Sequence, residues 1–110
     1  VPLDIVQDMK DMGLFGLTVP EAYGGIGLSV SQEALVNYEL GRTAPAFRSV
    51  FGTNIGIGSQ GILMDGTPEQ KAAYLPRVAS GELIMSFALT EPDVGTDAAS
   101  LKTRAELDGV

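Results

Sequence analysis

Cysteine, histidine and tryptophan are all absent from this sequence of 110 residues. Without cysteine there is no disulfide framework, no thiol nucleophile and no thiolate metal site. Without histidine there is no Ser-His-Asp triad, no imidazole zinc site and no side chain that ordinarily titrates near neutral pH. Positive charge is scarce as well: 7 Lys plus Arg stand against 14 Asp plus Glu, a formal net charge of -7. With its few cations scattered, the chain is expected to bind neither nucleic acid phosphates nor an anionic membrane surface. Long hydrophobic runs are missing too. The longest apolar stretch, Val50 to Met64, is broken by Thr53, Asn54, Ser59 and Gln60, short of the roughly 18 residues that a spanning helix needs. No basic segment precedes an apolar run, so no signal peptide is visible. What is present is 45% apolar residues, enough for a folded core rather than disorder. The start at Val1-Pro2 and the finish at Asp108-Gly109-Val110 lead us to expect a piece of a longer protein.

Helical periodicity organises the first part of the chain. Ile5, Val6, Met9, Met12 and Leu14 follow the rhythm of an amphipathic helix over residues 3 to 15, with Pro2 in its first turn and Gly13 and Gly16 as stops. Leu17 to Gly27, with Pro20, Gly24, Gly25 and Gly27, reads as a loop. Ser29 with Gln32 resembles a capping box opening a second helix that runs to Gly41-Arg42. Phe47, Val50, Phe51, Asn54, Ile57, Gly61 and Met64 predict one further helix over 46 to 64. Its glycines imply close packing against a neighbour or ligand. Thr67-Pro68-Glu69-Gln70 then supplies an N-cap, a proline at the first helical position and a reciprocal glutamine, with a stop at Gly81 and a kink or tightened end at Pro76.

From residue 82 the texture changes. Leu83 to Leu89 is a dense apolar run of the kind found in buried strands, and Leu101 to Leu107 alternates as a half-exposed strand does. Asp108-Gly109 is a hairpin turn signal. The expectation is therefore a mainly α chain: helices over 1-81, then the beginning of a β domain over 82-110. Gly56-Ile57-Gly58-Ser59-Gln60-Gly61 matches G-x-G-x-x-G, but no strand precedes it and Gly66-Thr67-Pro68 cuts short any helix after it. It is read as packing, not as a pyrophosphate loop. Between Phe87 and Ser100 two hydroxyls, a glycine and several carboxylates leave the apolar run together. This is either a solvated turn with Asp capping or a loop whose amides and hydroxyls meet a polar heterocycle.

Ala88-Leu89-Thr90-Glu91-x-x-x-Gly95-Thr96-Asp97 resembles the signature of the FAD-dependent acyl-CoA dehydrogenases. So do Leu14-Phe15-Gly16-Leu17 with Val19-Pro20-Glu21-x-Tyr23-Gly24-Gly25-x-Gly27, then Glu39-Leu40-Gly41-Arg42. Gly66-Thr67-x-Glu69-Gln70-Lys71-x-x-Tyr74-Leu75-Pro76, followed by Gly81-Glu82, completes four blocks in family order. Val94 stands where the family generally has a small residue, and Thr96 replaces the more usual Ser. The resemblance implies the N-terminal helical domain of that family, its first helix missing, followed by the first strands of the middle β-barrel domain.

What the resemblance implies for the site is specific. Phe87, Leu89 and Thr90 match residues at the isoalloxazine ring, with the Thr90 hydroxyl near its N1–C2=O edge. Gly95 and Thr96 match the loop along FAD and the acyl-CoA, Thr96 being also a substrate contact. Ser49, Val50, Thr53 and Ile57 match the helix lining the acyl cavity, although core packing explains their shared face equally well. Arg48 stands where the glutaryl-CoA dehydrogenase subgroup binds a distal carboxylate, the alternative being a solvated or locally paired arginine. The family's catalytic base is a Glu in its C-terminal helical domain, and none of Glu21, Glu33, Glu39, Glu69, Glu82, Glu91 or Glu106 matches it. No catalytic residue and no metal ligand is therefore assigned.

The resemblance further implies oxidation of an acyl-CoA to its trans-2-enoyl-CoA in fatty acid or amino acid catabolism. Electrons would pass to an electron-transferring flavoprotein, in a homotetramer, and the 110-residue piece alone is expected to be inactive; the lack of cysteine and of a secretory signal suits a cytoplasmic protein. The alternatives are a piece of an acyl-CoA oxidase or related flavoenzyme, and a non-catalytic helical binding or oligomerisation module.

Overall fold

A computed structural model describes residues 1–109; Val110, the last position of the expected second segment, lies outside the described residues. Pro2 leads into α1 (Leu3–Asp11), whose Ile5, Val6 and Met9 turn toward the core. The helix ends earlier than the apolar spacing predicts. Gly13, at φ 75°, turns the chain into the left-handed region, and Leu14–Gly16 continues as a single 3-10 turn. The glycine-rich loop then folds back on itself: the amides of Ile26, Gly27 and Leu28 bond to the carbonyls of Gly16, Val19 and Leu17. Gly25 sits so close to this return that a Cβ there would lie 1.9 Å from the Val19 carbonyl oxygen. Only glycine fits.

The two capping boxes form as the sequence predicts. Ser29 opens α2 (Val30–Gly41), its hydroxyl accepting from the Gln32 amide while the Gln32 side chain accepts from the Ser29 amide at 2.9 Å. Thr67 and Gln70 repeat the arrangement at α5 (Pro68–Ala79), which continues past Pro76 before Gly81 stops it at φ 70°. Each cap is worth about 1 kcal/mol.

The stretch predicted as one helix over 46 to 64 is three pieces. Pro45–Thr53 forms α3, Asn54–Gly58 forms a π-turn, and Gln60–Asp65 forms α4. The break is at Gly56, whose φ of -91° and ψ of -115° leave the helical region. Breaking a helix frees carbonyls, and that of Ile55 is satisfied twice over, by the Thr18 hydroxyl at 3.3 Å and the Gln60 side-chain amide at 3.1 Å.

Burial falls into two clusters. Met9, Leu14, Phe15, Leu17, Phe51 and Ile55 form one; Val19, Leu75, Val78 and Ala79 form the other, with Leu83 and Met85 packed against it. By contrast α2 buries no residue completely and leaves Val30, Leu35 and Tyr38 exposed.

The two predicted strands do not form. Residues 83–89 and 101–107 carry no strand among the described residues, and the backbone pairing there is limited to an isolated bridge between Glu91 and Val94. The reason is physical: a strand exists only as a ladder with a neighbour, and neither run has a paired strand among the described residues. Gly109 does adopt φ 60°, as a hairpin turn would require, but no paired strands flank it.

Phe51 is wholly buried whereas Leu35 is 68% exposed. Phe51→Ala is therefore expected to cost about 3–5 kcal/mol and Leu35→Ala no more than about 0.5 kcal/mol, as read by urea denaturation. Equal losses would show that the assigned core is wrong.

Candidate functional site

Two groups of residues singled out from the sequence lie on neighbouring parts of the fold. One sits on α3 and the π-turn. Arg48 and Ser49 are exposed, Val50 is half-buried against the first core cluster, Thr53 is half-buried, and Ile57 is 61% exposed on the π-turn. The predicted shared face is thus interrupted: helical register ends at Thr53, and the turn rather than the helix presents Ile57. The Ser49 hydroxyl bonds to the Pro45 carbonyl of its own helix at 3.3 Å. Arg48 folds back along α3 until its guanidinium carbon lies 3.0 Å from where a Cβ on Gly52 would stand. Among the described residues it forms no ion pair, whereas Arg42, Arg77, Lys102 and Arg104 each have an acidic partner.

The other group follows the second cluster along an extended run. Phe87 is 56% exposed, Leu89 half-buried, and Thr90, Gly95 and Thr96 exposed. Between Ile84 and Thr90, only the Met85 amide has a hydrogen-bond partner among the described residues. The remaining N–H groups and the Thr90 and Thr96 hydroxyls have no partner among the described residues, and more than half of Phe87 is exposed. Val94 is buried at 7% exposure, so it turns away from the surface that Gly95 and Thr96 share. A Cβ on Gly95 would meet nothing within 4 Å, and its φ is not positive; the chain itself makes no demand for glycine there.

The groups are joined by a residue that lies outside the sequence motifs. Asn54, completely buried in the π-turn, donates to the Val78 carbonyl at 3.3 Å and accepts from the Met85 amide at 2.7 Å. A second unforeseen residue shapes the loop. The Glu91 carboxylate accepts from the Lys102 and Thr103 amides, at 3.0 Å and 2.6 Å, and from the Thr103 hydroxyl. The Thr103 hydroxyl, then the two amides, hold its pKa below the ordinary glutamate value. The sequence signal for Glu91 was its place in the family block; for Asn54 there was only an amide among apolar helix positions.

An apolar groove of about 410 Å³ lies elsewhere, lined by Met12, Leu14, Leu35, Val36, Glu39 and Leu40. None of the site residues named above lines it. Among the described residues no cluster of acidic side chains is arranged to hold a metal ion, and no helix is long and apolar enough to cross a membrane.

Comparison with known proteins agrees with this helical architecture. The family profile "Acyl-CoA dehydrogenase, N-terminal domain" matches residues 1–82, and the chain belongs to that family. It is 46% identical over 109 residues to (2S)-methylsuccinyl-CoA dehydrogenase of Cereibacter sphaeroides, an alignment covering 99% of this chain and 20% of that protein. An acyl-CoA dehydrogenase of Bacillus anthracis, solved in complex with FAD, superposes with a TM-score of 0.78 at 42% identity, over 88% of this chain and 16% of that one. The prolyl acyl carrier protein oxidase AnaB superposes with a TM-score of 0.85 at 35% identity, over 96% and 29%. The chain therefore spans between about a sixth and three tenths of these relatives.

Because the folded pKa of Glu91 is lowered, its clamp on residues 102–103 is complete above the ordinary glutamate pKa and is lost as pH falls through the lowered value. An NMR titration should move the Thr103 amide resonance with a midpoint below the ordinary glutamate value, and Glu91→Gln should abolish that transition. A midpoint at or above the reference value would contradict the clamp.

Proposed function

We propose that the chain is the N-terminal part of an FAD-dependent acyl-CoA dehydrogenase, with helices over 1-81 and the opening of the middle domain over 82-110. The observation that carries this reading is the open run from Ser86 to Thr90, ending in the loop with Gly95 and Thr96, within a chain of this family. Its donor set fits a flavin. The Thr90 hydroxyl and the amides without a partner among the described residues suit the carbonyl-bearing edge of the ring, and the exposed Phe87 ring suits its plane. When bound, FAD supplies the acceptor for the hydride leaving the acyl β-carbon.

Each residue's part follows from its chemistry. A donor at Thr90 would stabilise negative charge at the N1–C2=O edge, and Phe87 and Leu89 would shield the ring from water. Gly95 leaves space for close approach of a ligand, which explains a glycine that the fold does not require. Thr96 would hold the thioester portion by its hydroxyl, and Ser49, Val50, Thr53 and Ile57 would line the acyl chain. The α-proton is left to a glutamate elsewhere in the enzyme, so the isolated chain is expected to be inactive with weak or no FAD binding. An electron-transferring flavoprotein as acceptor, a homotetramer and a cytoplasmic setting complete the reading.

Arg48 favours a substrate with a second carboxylate. Among the described residues its guanidinium has no acidic partner, and it is held along α3 beside the acyl-lining residues. The relative from Cereibacter sphaeroides is named for a thioester of that kind. A guanidinium grips a carboxylate through two parallel bonds. A second reading, a piece of an oxidase, is favoured by the superposition on AnaB; reduced enzyme that reacts rapidly with oxygen would select it.

The intact enzyme should be yellow and its flavin band should bleach anaerobically on addition of acyl-CoA. A colourless protein that cannot be reconstituted with FAD would instead indicate a non-catalytic helical module. Arg48→Gln should lower kcat/KM for dicarboxylic acyl-CoAs by about 10- to 100-fold, the worth of a charged hydrogen bond, and spare monocarboxylic ones. Equal losses on both would sink the dicarboxylate assignment.

A further inference from the structure

Residues 84–90 reach the helical body through one backbone hydrogen bond among the described residues, from the Met85 amide to the Asn54 side chain at 2.7 Å. Asn54 is itself fixed. It is wholly buried and its other end donates to the Val78 carbonyl at 3.3 Å, near the end of α5. The π-turn that carries it is also fixed, because the Thr18 and Gln60 side chains both bond to the Ile55 carbonyl.

A second observation places the same contact independently. A Cβ on Gly58, at the far end of the π-turn, would lie 2.8 Å from the Cβ of Met85 and 2.9 Å from the Thr53 carbonyl oxygen. The absence of a side chain at 58 lets the Met85 backbone seat directly on the turn. Asn54 then locks it there. On one side of this joint stand Thr53 and Ile57; on the other, Met85 runs on to Phe87, Leu89 and Thr90.

We propose that Asn54, with Gly58 as its seat, is a positioning residue that sets the spacing between the acyl-lining turn and the flavin-facing run. The inference rests on the functional reading above, which puts the acyl chain on one side of the joint and FAD on the other. Neither Asn54 nor Gly58 touches the reacting atoms. Their effect passes through Met85: releasing its amide or lifting its backbone moves Phe87 to Thr90 relative to Thr53 and Ile57. A displacement of this kind alters which acyl lengths place their reacting carbons correctly.

The test uses the FAD-loaded intact enzyme with Asn54→Ser, which is too short to bridge Val78 and Met85, and Gly58→Ala, which lifts Met85 while retaining the amide. Met9→Ala, in the core cluster that Met85 does not pack against, serves as a destabilised control. The flavin absorbance maximum is recorded without substrate, and kcat/KM per bound FAD is measured across straight-chain acyl-CoAs of increasing length. Both seam variants are expected to shift the absorbance maximum and to change the ratio of short- to long-chain kcat/KM by about tenfold or more, while Met9→Ala changes neither. Seam variants that lose stability yet keep the wild-type maximum and ratio would overturn the proposal. If Asn54→Ser does not fold, Gly58→Ala alone decides. A wild-type enzyme that takes up no FAD would overturn the functional reading and this inference with it; an FAD-loaded wild type with unmoved variants overturns the inference alone.

Discussion

A buried amide side chain joins the parts of this chain. Asn54 lies at the boundary between two apolar clusters, with the neighbouring Ile55 in one and its own bond to Val78 in the other. Hydrophobic burial alone is non-directional and would leave these clusters free to slide. The amide removes that freedom because its donor and acceptor ends must both find partners inside the protein. Its absence would leave the Met85 amide unpaired, at a cost of about 1–3 kcal/mol if that group stays buried, whereas the Val78 carbonyl would keep the Gly81 amide at 3.0 Å.

The π-turn that carries Asn54 interrupts what would otherwise be a continuous helix from Pro45 to Asp65. Breaking at Gly56 forfeits regular bonding, but Thr18 and Gln60 compensate at Ile55. Strained or irregular helical turns concentrate where a chain does something besides fold, and here the turn faces the segment that bears Phe87, Leu89 and Thr90. The same economy shows at Gly95, a glycine without a neighbour to require it.

The features legible in the sequence are those with local causes. Ser29 with Gln32 and Thr67 with Gln70 announce their caps because both partners of each bond lie within one turn, and Gly81 marks a stop at its own position. The break at Gly56 was hidden because apolar spacing continues through it, from Phe51 to Met64, and several glycines nearby weaken a helix equally. The strands expected over 83–89 and 101–107 failed for the opposite reason: their apolar texture is local, but their hydrogen bonds need a neighbour. The motif at Ala88 to Asp97 identified the exposed loop as the candidate site. It could not show that Glu91 reaches forward to Thr103, or that Asn54 reaches Met85, since neither separation has a periodicity to betray it.

The joint between the helical body and the extended run is the central claim, and native-state hydrogen exchange on the intact protein tests it most directly. If Asn54 holds Met85, the Met85 amide should exchange far more slowly than the amides of Ser86, Ala88 and Thr90, which have no partners among the described residues. Its protection should approach that of the buried Leu75 and Val78 amides in α5. A Met85 amide that exchanges as fast as its neighbours would show that the run is not anchored to the helices, and would contradict the account.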